Sequence, residues 1–489
     1  MLKQGAQKFL LIFLCVAATA IKAGDMSADV AVIGGGSAGF AAAWSAATLG
    51  SSVVLVEKEK MLGGTSTFAG VNNWEPGMGG TGVPYRVYQR LKKIPKAAGV
   101  YVIDRHCGWK KASEPYTYPG GISVIDPALP YSKSLLRHGP GMGNEAWFRE
   151  NCHGVIFEPL CMARVMGDML RETGRCTTYT NLAFVKVDQT NGPLQSVTLS
   201  DGSHLAAKIF IDATDGLLCR QLGCPMMFGR DAHSAFNEPG APETPRAQLN
   251  GATLIFRVTP APGTGVEPLP EGIPETSWWG GFALVFATRY GNGDLGMNML
   301  PTMKGEEAVS LGREAAYAEC RRRVYAEWHW LQTNYAEFRD YRLLSIAPVL
   351  AYRETSRVRG EYVLSQNDLI AGLSGQTHAD IIAIADHPMD NHGGGGPSGE
   401  LKEEYGIPYR CLLPLGTENV LIAGRAASFS AIAASSCRLS RTMMQLGEAA
   451  GVAAHLAVTR NVPLRSVAAA DIRRLMQTRI DGNPFDESK

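Results

Sequence analysis

Short apolar runs of strand length alternate with glycines and with a longer alanine-rich stretch in the first part of the chain. The run Asp29–Ile33 leads into three glycines, an alanine-rich stretch continues to Leu49, and a second apolar run covers Ser52–Val56. A short apolar run bounded by turn residues is typical of a buried strand, whereas the longer stretch has the length of a helix. The pattern predicts a strand, a glycine turn, a helix and a second strand that ends on Glu57.

A similar pattern returns near the C-terminus. The apolar run Val420–Ala423 meets a glycine, and a helix is predicted from about Arg438 to Val458. In the middle of the chain, strands are predicted at 251–259, 281–300 and 343–364, with one long helix from about Gly305 to Tyr335. Residues 76–150 are rich in Gly, Pro and Tyr and show no clear period, so we interpret them as an irregular insertion.

The first glycine turn has the spacing Gly34-x-Gly36-x-x-Gly39. Glycine permits a tight turn at 34, lets a pyrophosphate approach the backbone at 36, and lets helix and strand pack closely at 39. The helix that begins with Ser37 and Ala38 would offer unpaired N–H groups to phosphate. Since a strand precedes this motif and a helix follows it, the segment predicts a dinucleotide-binding site.

Glu57 lies at the end of the second strand, about 20 residues after the glycines, where such sites place a ribose-binding carboxylate. Its charge would repel the 2′-phosphate of NADP, which argues against that nucleotide. A second match to the glycine spacing, Gly291–Gly296, lies between two strand-like runs. There Asn292-Gly293 predicts a hairpin turn instead.

Four further segments follow in order: Phe210–Gly216; Tyr352–Arg357 with Gly360–Leu364; Ile407–Arg410; and Asn419–Arg425 with Arg438 and Leu446–Gly451. With the first glycine motif, they resemble the glutathione-reductase-like FAD superfamily, and more narrowly the bacterial FAD-dependent oxidoreductases. The similarity covers nearly the whole chain from Gly24 onward. It implies FAD as the cofactor.

The resemblance also assigns further cofactor residues. It implies phosphate contacts by Lys58, Gly64, Thr65 and Ser66, a backbone contact to adenine near Val185, packing of Thr214 beside the cofactor, Gly424 and Arg425 along the ribityl chain, and Arg438 with the helix after it at the pyrimidine edge of the flavin. Positive charge at that edge stabilises reduced flavin.

We therefore predict an α/β protein with a Rossmann-like FAD/NAD(P)-binding fold, in which a discontinuous FAD domain carries a mixed-sheet α+β substrate domain. The expected units are a leader at 1–23, an FAD domain at 28–75, 155–230 and 405–470, an irregular insertion at 76–154, a substrate or cap domain at 231–404 and a tail at 471–489.

The leader at 1–23 has the features of a signal peptide, because Lys3 and Lys8 precede the apolar run Phe9–Ala20 and small residues follow. The run is shorter than the ~20 residues of a membrane-spanning helix. We expect a secreted or periplasmic protein; retention of the segment as an anchor is the alternative. The chain has 47 Lys and Arg against 46 Asp and Glu, which gives no basic field for nucleic acid.

Ten cysteines are present, and removal of Cys15 with the leader leaves nine, without a Cys-x-x-Cys pair. The missing dithiol motif argues against a disulfide reductase. Export permits disulfides, with Cys152 and Cys161 or Cys219 and Cys224 as near neighbours in sequence, but the spacing does not fix the pairing.

The cluster Asp386-His387-Pro-Met-Asp390-Asn-His392, followed by four glycines, is the best candidate for acid–base chemistry. His392 could accept a proton while Asp390 or Asp386 orients its ring; a polar turn with solvated histidines is the alternative. Arg353 could bind a substrate carboxylate or substrate hydroxyls, and an alternating strand would place it on one face with Arg357 and Arg359. Its alternative role is a structural ion pair.

Tyr409 could donate a hydrogen bond to substrate, with a packed core tyrosine as the alternative, and Arg438 is a candidate at the flavin. We expect no metal site.

These features predict oxidation of a small polar metabolite (a sugar, hydroxy acid or amine) by hydride transfer to flavin N5, with oxygen, a quinone or a carrier protein as electron acceptor. One alternative is a fumarate-reductase-type enzyme that saturates an activated double bond, with Arg353 or Arg438 as proton donor. Another is a non-catalytic flavin-binding component of a polysaccharide-processing assembly.

Overall fold

A computed structural model describes residues 24–106, 118–136, 144–189, 191–278, 285–299, 301–392 and 396–478. The predicted signal peptide at 1–23 lies outside these ranges, as do residues 479–489 of the predicted tail. None of the helices in the described ranges combines the length and the apolar character needed to cross a membrane.

The strands of the described ranges are short, as is usual for α/β proteins. In chain order they are β1 Met26–Ile33, β2 Val53–Glu57, β3 Asn73–Trp74, β4 Ala98–Arg105, β5 Gly121–Ile125, β6 Val155–Phe157, β7 Cys176–Thr180, β8 Phe184–Val187, β9 Ser196–Leu199, β10 His204–Asp212, β11 Met226–Met227, β12 Ala252–Thr253, β13 Phe256–Pro260, β14 Val285–Arg289, β15 Leu295–Met299, β16 Tyr341–Ile346, β17 Ala351–Tyr352, β18 Arg357–Val358, β19 Ile381–Ala385, β20 Tyr405–Pro408 and β21 Val420–Ile422.

The α-helices of the same ranges vary widely in length, and α8 and α11 are much longer than the others. They are α1 Ser37–Thr48, α2 Val83–Leu91, α3 Glu145–Asn151, α4 Pro159–Glu172, α5 Leu217–Gln221, α6 His233–Phe236, α7 Gly305–Leu311, α8 Arg313–Asn334, α9 Gln366–Gly375, α10 Ala431–Cys437, α11 Ser440–Arg460 and α12 Ala469–Leu475.

The larger part of the parallel strands in the described chain forms a seven-stranded sheet, in the order β7-β2-β1-β10-β9-β8, with β21 also beside β10. β7, β2, β1, β10 and β21 are parallel, and β9 and β8 are antiparallel additions. All five residues of β2 are buried, as expected for a parallel strand covered on both faces. The predicted α/β, Rossmann-like fold is confirmed, and the carboxyl ends of β1, β2, β10 and β21 meet at one edge.

A second sheet of eight strands has the order β16-β13-β15-β14-β5-β4-β6-β3 in the described residues. β4 and β5 come from residues 76–154, so the prediction of an irregular insertion there is wrong. The first four residues of β4 are all buried, and this burial removes the alternation of polar and apolar residues that marks a half-exposed strand. The same segment contains α2, which has a proline in its first turn.

The helix predicted over Gly305–Tyr335 is two helices, α7 and α8. Gly312 separates them with a φ of +78°, a left-handed conformation that glycine adopts readily. The hairpin predicted at Asn292-Gly293 is confirmed, since β14 and β15 pair in antiparallel register on either side of it.

The main core lies between the seven-stranded sheet and the helices that cover it, and α1 and α11 pack closely there. A Cβ atom on Gly447 would lie 2.0 Å from the Ala38 carbonyl oxygen, and one on Gly451 would lie 2.2 Å from that of Ala42. The two helix backbones therefore approach each other at these glycines. This contact places the N-terminus of α11 beside the glycine turn after β1.

Candidate active site

A cavity of about 1040 Å³ lies between the two sheets. The first sheet contributes residues at the carboxyl ends of β1, β2, β10 and β21, and the second contributes residues of β3, β14 and β15. Pockets for a single small ligand usually occupy ~300–1,000 Å³. The cavity therefore lies at the upper limit of this range, as a site for a large ligand would.

The glycine turn after β1 forms one wall of this cavity. Gly34 has a φ of +102°, and a Cβ atom there would lie 2.6 Å from the Ala213 carbonyl oxygen. A Cβ atom on Gly36 would meet no atom within 4 Å, so the backbone is open to the cavity at this position. Gly39 does not line the cavity; a Cβ atom there would lie 1.8 Å from the Gly34 carbonyl oxygen, which fits the predicted close packing of helix on strand.

Glu57 is buried at the end of β2 and lines the cavity. Its Oε2 accepts a 2.6 Å hydrogen bond from the Gly35 N–H, and its Oε1 accepts one of 2.8 Å from the Glu59 N–H. Burial raises the pKa of Glu57, although both N–H groups favour the ionised form. The carboxylate thus fixes the turn that carries the glycines.

Most of the other predicted cofactor residues share this cavity. Those that line it are Ser37, Ala38, Lys58, Gly64, Thr65, Thr214, Gly424, Arg425 and Arg438.

Ser66 and Val185 are not among the lining residues. The Ser66 hydroxyl is buried and donates to the Ser440 hydroxyl at 3.0 Å. Val185 is half exposed, and its carbonyl accepts a 2.8 Å hydrogen bond from the Gln221 side chain. The preceding residues 182–184 line the cavity, so the predicted segment reaches it next to Val185.

The predicted acid–base cluster lines the same cavity, where His392, Asp390 and Arg438 form a hydrogen-bonded row. His392 Nε2 lies 2.7 Å from Asp390 Oδ2, and the same oxygen accepts a 2.7 Å hydrogen bond from Arg438 Nη2. With Nε2–H donating to Asp390, the ring presents the lone pair of Nδ1, which has no hydrogen-bond partner among the described residues. Three of the four glycines after His392 lie outside those residues.

Opposing forces act on the pKa of His392. Burial lowers it, the hydrogen bond to Asp390 raises it, and the charges of Arg353 and Arg438 lower it, with a net shift downward. Burial raises the pKa of Asp390, but its bond to His392 and the charge of Arg438 outweigh that effect and hold the pKa well below its usual range. The pair is therefore a neutral imidazole beside a carboxylate at neutral pH.

Arg353 lies on the neighbouring part of the wall. Its Nη1 donates to the Gly251 carbonyl at 3.0 Å and to the Thr253 hydroxyl at 2.6 Å. Its Nε and Nη2 have no hydrogen-bond partner within the described ranges. Burial lowers the pKa of Arg353 to about 9, with a further contribution from Arg438.

The prediction that Arg353, Arg357 and Arg359 share one strand face is wrong. β17 ends at Tyr352 and the chain leaves the sheet, so the alternation that the prediction assumed is lost. Arg357 is fully buried and pairs with Glu354 and Asp231, whereas Arg359 is exposed. A structural ion pair was the alternative role given above for Arg353, and in the structure Arg357 forms such a pair.

Tyr409 is not a substrate contact of this cavity. It is buried in the core after β20, and its hydroxyl donates to the Leu464 carbonyl at 3.0 Å. Tyr409 is therefore a packed core tyrosine, the alternative given above, because its one hydroxyl donor is used by the Leu464 carbonyl. The described residues contain no group of three or more His, Cys, Asp or Glu side chains that could hold a metal ion.

Two lining residues carry no clear signal in the sequence. Arg441, in the first turn of α11, is buried and donates to the Ser134 hydroxyl at 3.1 Å and to the Ser134 carbonyl at 2.9 Å. Asn72 accepts a 2.7 Å hydrogen bond from the Thr288 hydroxyl. Both depend on partners in distant parts of the sequence, which no local pattern can indicate.

The sequence model of a family described as FAD dependent oxidoreductase matches residues 29–476, nearly the whole described chain. The chain belongs to this family. The FAD-dependent oxidoreductase is also 35% identical over 101 residues to a protein of Shewanella frigidimarina named fumarate reductase (cytochrome). That match covers 21% of the oxidoreductase and only 14% of the Shewanella protein.

Solved structures of similar fold include two with broad coverage. A geranylgeranyl bacteriochlorophyll reductase-like protein of Thermoplasma acidophilum is 11% identical, with a TM-score of 0.44 over 92% of this chain and 83% of that chain. An L-amino acid deaminase of Proteus myxofaciens, solved with anthranilate, is 12% identical, with a TM-score of 0.41 over 90% of this chain and 92% of that chain.

The residues of the cavity fit the FAD that the family uses. The open backbone at Gly36 suits a pyrophosphate, and Glu57 suits a ribose. The first turn of α11 lines the cavity without a side-chain cap, which leaves its N–H groups available to an acceptor. Arg438 Nε is buried and has no partner among the described residues, so a bound acceptor would satisfy it. When bound, FAD supplies the two-electron chemistry.

Proposed function

We propose that this FAD-dependent oxidoreductase oxidises a small hydroxy acid. The observation that carries the proposal is that Arg353 and His392 line the same cavity. Arg353 keeps two donors, and His392 keeps Nδ1, without a hydrogen-bond partner within the described ranges. An arginine with donors to spare binds a carboxylate in bidentate geometry. Of the sugars, hydroxy acids and amines that the sequence allows, only hydroxy acids combine this carboxylate with a hydroxyl proton for a base.

His392 is suited to accept that hydroxyl proton. Its pKa lies below the ordinary value, so the ring is neutral at neutral pH and Nδ1 can take a proton. Asp390 fixes the ring through Nε2–H and stabilises the imidazolium that forms. Arg438 in turn holds Asp390, which keeps this carboxylate ionised.

Arg353 and His392 are held in a fixed relation by one backbone segment. The Gly251 carbonyl accepts a hydrogen bond from Arg353, and the Gly251 N–H donates to the His392 carbonyl at 2.8 Å. A substrate bound by Arg353 would therefore present its hydroxyl to His392 in a defined geometry, which is the main contribution of positioning to rate.

The test is an anaerobic titration of the FAD-loaded enzyme with matched pairs of compounds. Each hydroxy acid is compared with the alcohol that lacks its carboxylate, and with the corresponding sugars and amines. We expect loss of the visible absorbance of oxidised flavin with a hydroxy acid and at least tenfold slower loss with its neutral partner. Equal reduction by neutral sugars or by amines, without reduction by any hydroxy acid, would contradict the proposal.

A second candidate is reduction of an activated double bond. Two observations favour it: the similarity of one segment to the Shewanella fumarate reductase, and an Arg353 pKa of about 9, which brings proton release by an arginine within reach. In that case Arg353 would donate the proton. Rapid reoxidation of the reduced enzyme by an unsaturated dicarboxylate under nitrogen would support this direction, and reduction of the oxidised enzyme by a hydroxy acid would exclude it.

We further propose that the enzyme acts outside the cytoplasm after loss of residues 1–23, and that oxygen, a quinone or a carrier protein accepts its electrons. The support is the charge and hydrophobic pattern of the leader. Mass spectrometry of the enzyme recovered from its host should give an N-terminus close to Gly24. An intact Met1 would indicate retention of the segment.

A further inference from the structure

Cys219 and Cys224 occupy a helix terminus of defined geometry. α5 ends in a Schellman motif, in which the Cys224 N–H donates to the Cys219 carbonyl at 3.0 Å and the Gly223 N–H donates to the Arg220 carbonyl at 3.1 Å. Gly223 has a φ of +77°, the left-handed conformation that this motif requires. A contact between the side chains of these two positions frequently accompanies the motif, and here both are cysteines.

The two thiols are enclosed. Cys219 is fully buried and Cys224 is 4% exposed. Neither has a disulfide partner elsewhere among the described cysteines. A disulfide needs Cα atoms about 4.4–6.8 Å apart, a separation that a direct backbone hydrogen bond between the same two residues provides.

The pair is linked to the cofactor cavity through one carboxylate. Asp212 Oδ2 accepts a 3.0 Å hydrogen bond from the Cys219 N–H, and Oδ1 accepts one of 2.6 Å from the Thr214 hydroxyl. Thr214 lines the cavity and is predicted to pack beside the cofactor. The cysteines therefore anchor the turn that forms this part of the wall.

We propose that Cys219 and Cys224 are a redox-sensitive pair that hydrogen peroxide converts into an intramolecular disulfide. The Cys224 thiolate attacks one peroxide oxygen, which breaks the O–O bond, forms a sulfenic acid and releases water after protonation. Cys219 then loses its proton and attacks the Cys224 sulfur, which expels a second water. Two thiols are oxidised and one peroxide is reduced to two waters.

The electrostatics of the pair give the two cysteines different roles. The interaction with Cys219 lowers the pKa of the Cys224 thiol, while that same interaction, burial and the Asp212 charge raise the pKa of Cys219. Cys224 also keeps the larger exposed fraction, 4% against 0% for Cys219, so it is the residue that meets the oxidant, and Cys219 is the resolving thiol. Peroxide is small enough to reach a nearly buried sulfur.

Trypsin offers a direct test, because Arg220 lies between the two cysteines. The FAD-loaded wild-type enzyme is treated with hydrogen peroxide, denatured, alkylated and digested without reductant. Cleavage after Lys208, Arg220 and Arg230 separates the pair into peptides 209–220 and 221–230. We expect these peptides to appear joined, with the loss of two hydrogens, and to separate when the digest is reduced.

Two variants control the experiment. Cys219→Ser should abolish the joined peptide and leave a sulfenic acid on Cys224 that dimedone traps. Cys176→Ser removes a partly buried thiol on β7 and should leave the joined peptide unchanged. The proposal is overturned if Cys176 or Cys161 is oxidised while peptides 209–220 and 221–230 are both recovered alkylated. Separate over-oxidation of the two cysteines, without a joined peptide, would overturn it equally.

Discussion

At the scale of single residues, the charge of Asp390 acts on both His392 and Arg438 through hydrogen bonds of 2.7 Å. In Asp390→Asn the negative charge that raises the pKa of His392 is lost, while burial and the two arginines continue to lower it. A protonated imidazole cannot act as a base, so activity falls as pH drops through this pKa. We expect the acid limb of kcat/KM to move to lower pH and the maximum to fall ~100-fold.

A second His–Asp pair supplies the matched control. His378 Nε2 lies 2.9 Å from Asp368, and both side chains are more buried than those of His392 and Asp390, but neither residue lines the cavity. His378→Gln should leave the pH profile of kcat/KM in place. An acid limb that stays fixed in Asp390→Asn, or moves to higher pH, would rule out His392 as the base.

Glu57 gives a test of the nucleotide end of the site. Glu57→Gln removes the negative charge. It also places an amide N–H₂ opposite one of the two backbone N–H groups that now donate to the carboxylate, so one of these hydrogen bonds is lost. A hydrogen bond to a charged group contributes ~1.5–3 kcal/mol, so the Kd for FAD should rise roughly 10- to 100-fold. Fluorescence titration of the apoprotein measures this change. Glu172→Gln, in an exposed pair with Arg90, should leave the Kd within about threefold, and a similar rise there would make the effect nonspecific.

Residue assignments could be predicted from the sequence where one local motif determines the backbone. The spacing of Gly34, Gly36 and Glu57 implies a turn, an open backbone and a carboxylate at one sheet edge, and all three line the cavity. Val185 and Tyr409 were assigned inside longer segments whose exact register depends on distant partners, Gln221 and Leu464. Those partners decide which residue faces the cavity.

At the scale of elements, the contact between α1 and α11 requires small residues at the positions where the two helix backbones meet. A methyl group on Gly447 would overlap the Ala38 carbonyl of α1, so Gly447→Ala must separate the two helices. Overpacking of this kind usually costs ~1–3 kcal/mol. We expect a loss of that size in the free energy of unfolding, measured with denaturant, together with weaker FAD retention because the N-terminus of α11 would move.

Gly167 in α4 is the control for this change. A Cβ atom there would meet no atom within 4 Å, so Gly167→Ala gains only helix propensity, up to ~1 kcal/mol. Equal destabilisation by the two substitutions would show that close packing of α1 on α11 is not the cause.

Helices and strands could be predicted where the hydrophobic periodicity and the positions of turn-forming glycines indicate the same element boundaries. β1, α1 and β2 lie within a few residues of their predicted bounds because a strand, a turn and a helix follow each other locally. β4 was missed because both faces of its first half are buried, which removes the polar and apolar alternation there. The break at Gly312 was missed because a single glycine does not interrupt the helical period on either side of it.

At the scale of the whole molecule, the cavity arises where two sheets of different origin face each other. The edge of the parallel sheet follows from the order of the motifs along the chain. The opposing sheet pairs β5, from the predicted insertion, with β14, which comes much later in the sequence. Such a pairing is non-local, so sequence patterning predicts the cofactor edge but not the surface that closes over it.

The C-terminal segment is joined to the rest of the molecule by Glu448, which lies buried in α11. Glu448 Oε1 accepts a 2.5 Å hydrogen bond from the Gln477 N–H, and Oε2 accepts one from the Thr478 hydroxyl. Burial raises the pKa of Glu448 from 4.5 to about 7, and these hydrogen bonds only partly offset the effect. No cation of the described ranges compensates the charge when the group ionises.

Stability should therefore depend on pH through this one carboxyl group. Its raised pKa means that the folded chain holds the proton when the unfolded chain has released it. The contribution is full below pH 4.5 and is lost as the pH rises through about 7. At ~1.4 kcal/mol per pKa unit, the loss amounts to ~3 kcal/mol. The glutamine in Glu448→Gln cannot ionise, so the variant should not show this loss. Between pH 5 and pH 8, its free energy of unfolding should rise relative to that of the wild type by up to this amount. Parallel curves in denaturant titrations across that range would show that Glu448 is ionised in the folded enzyme throughout.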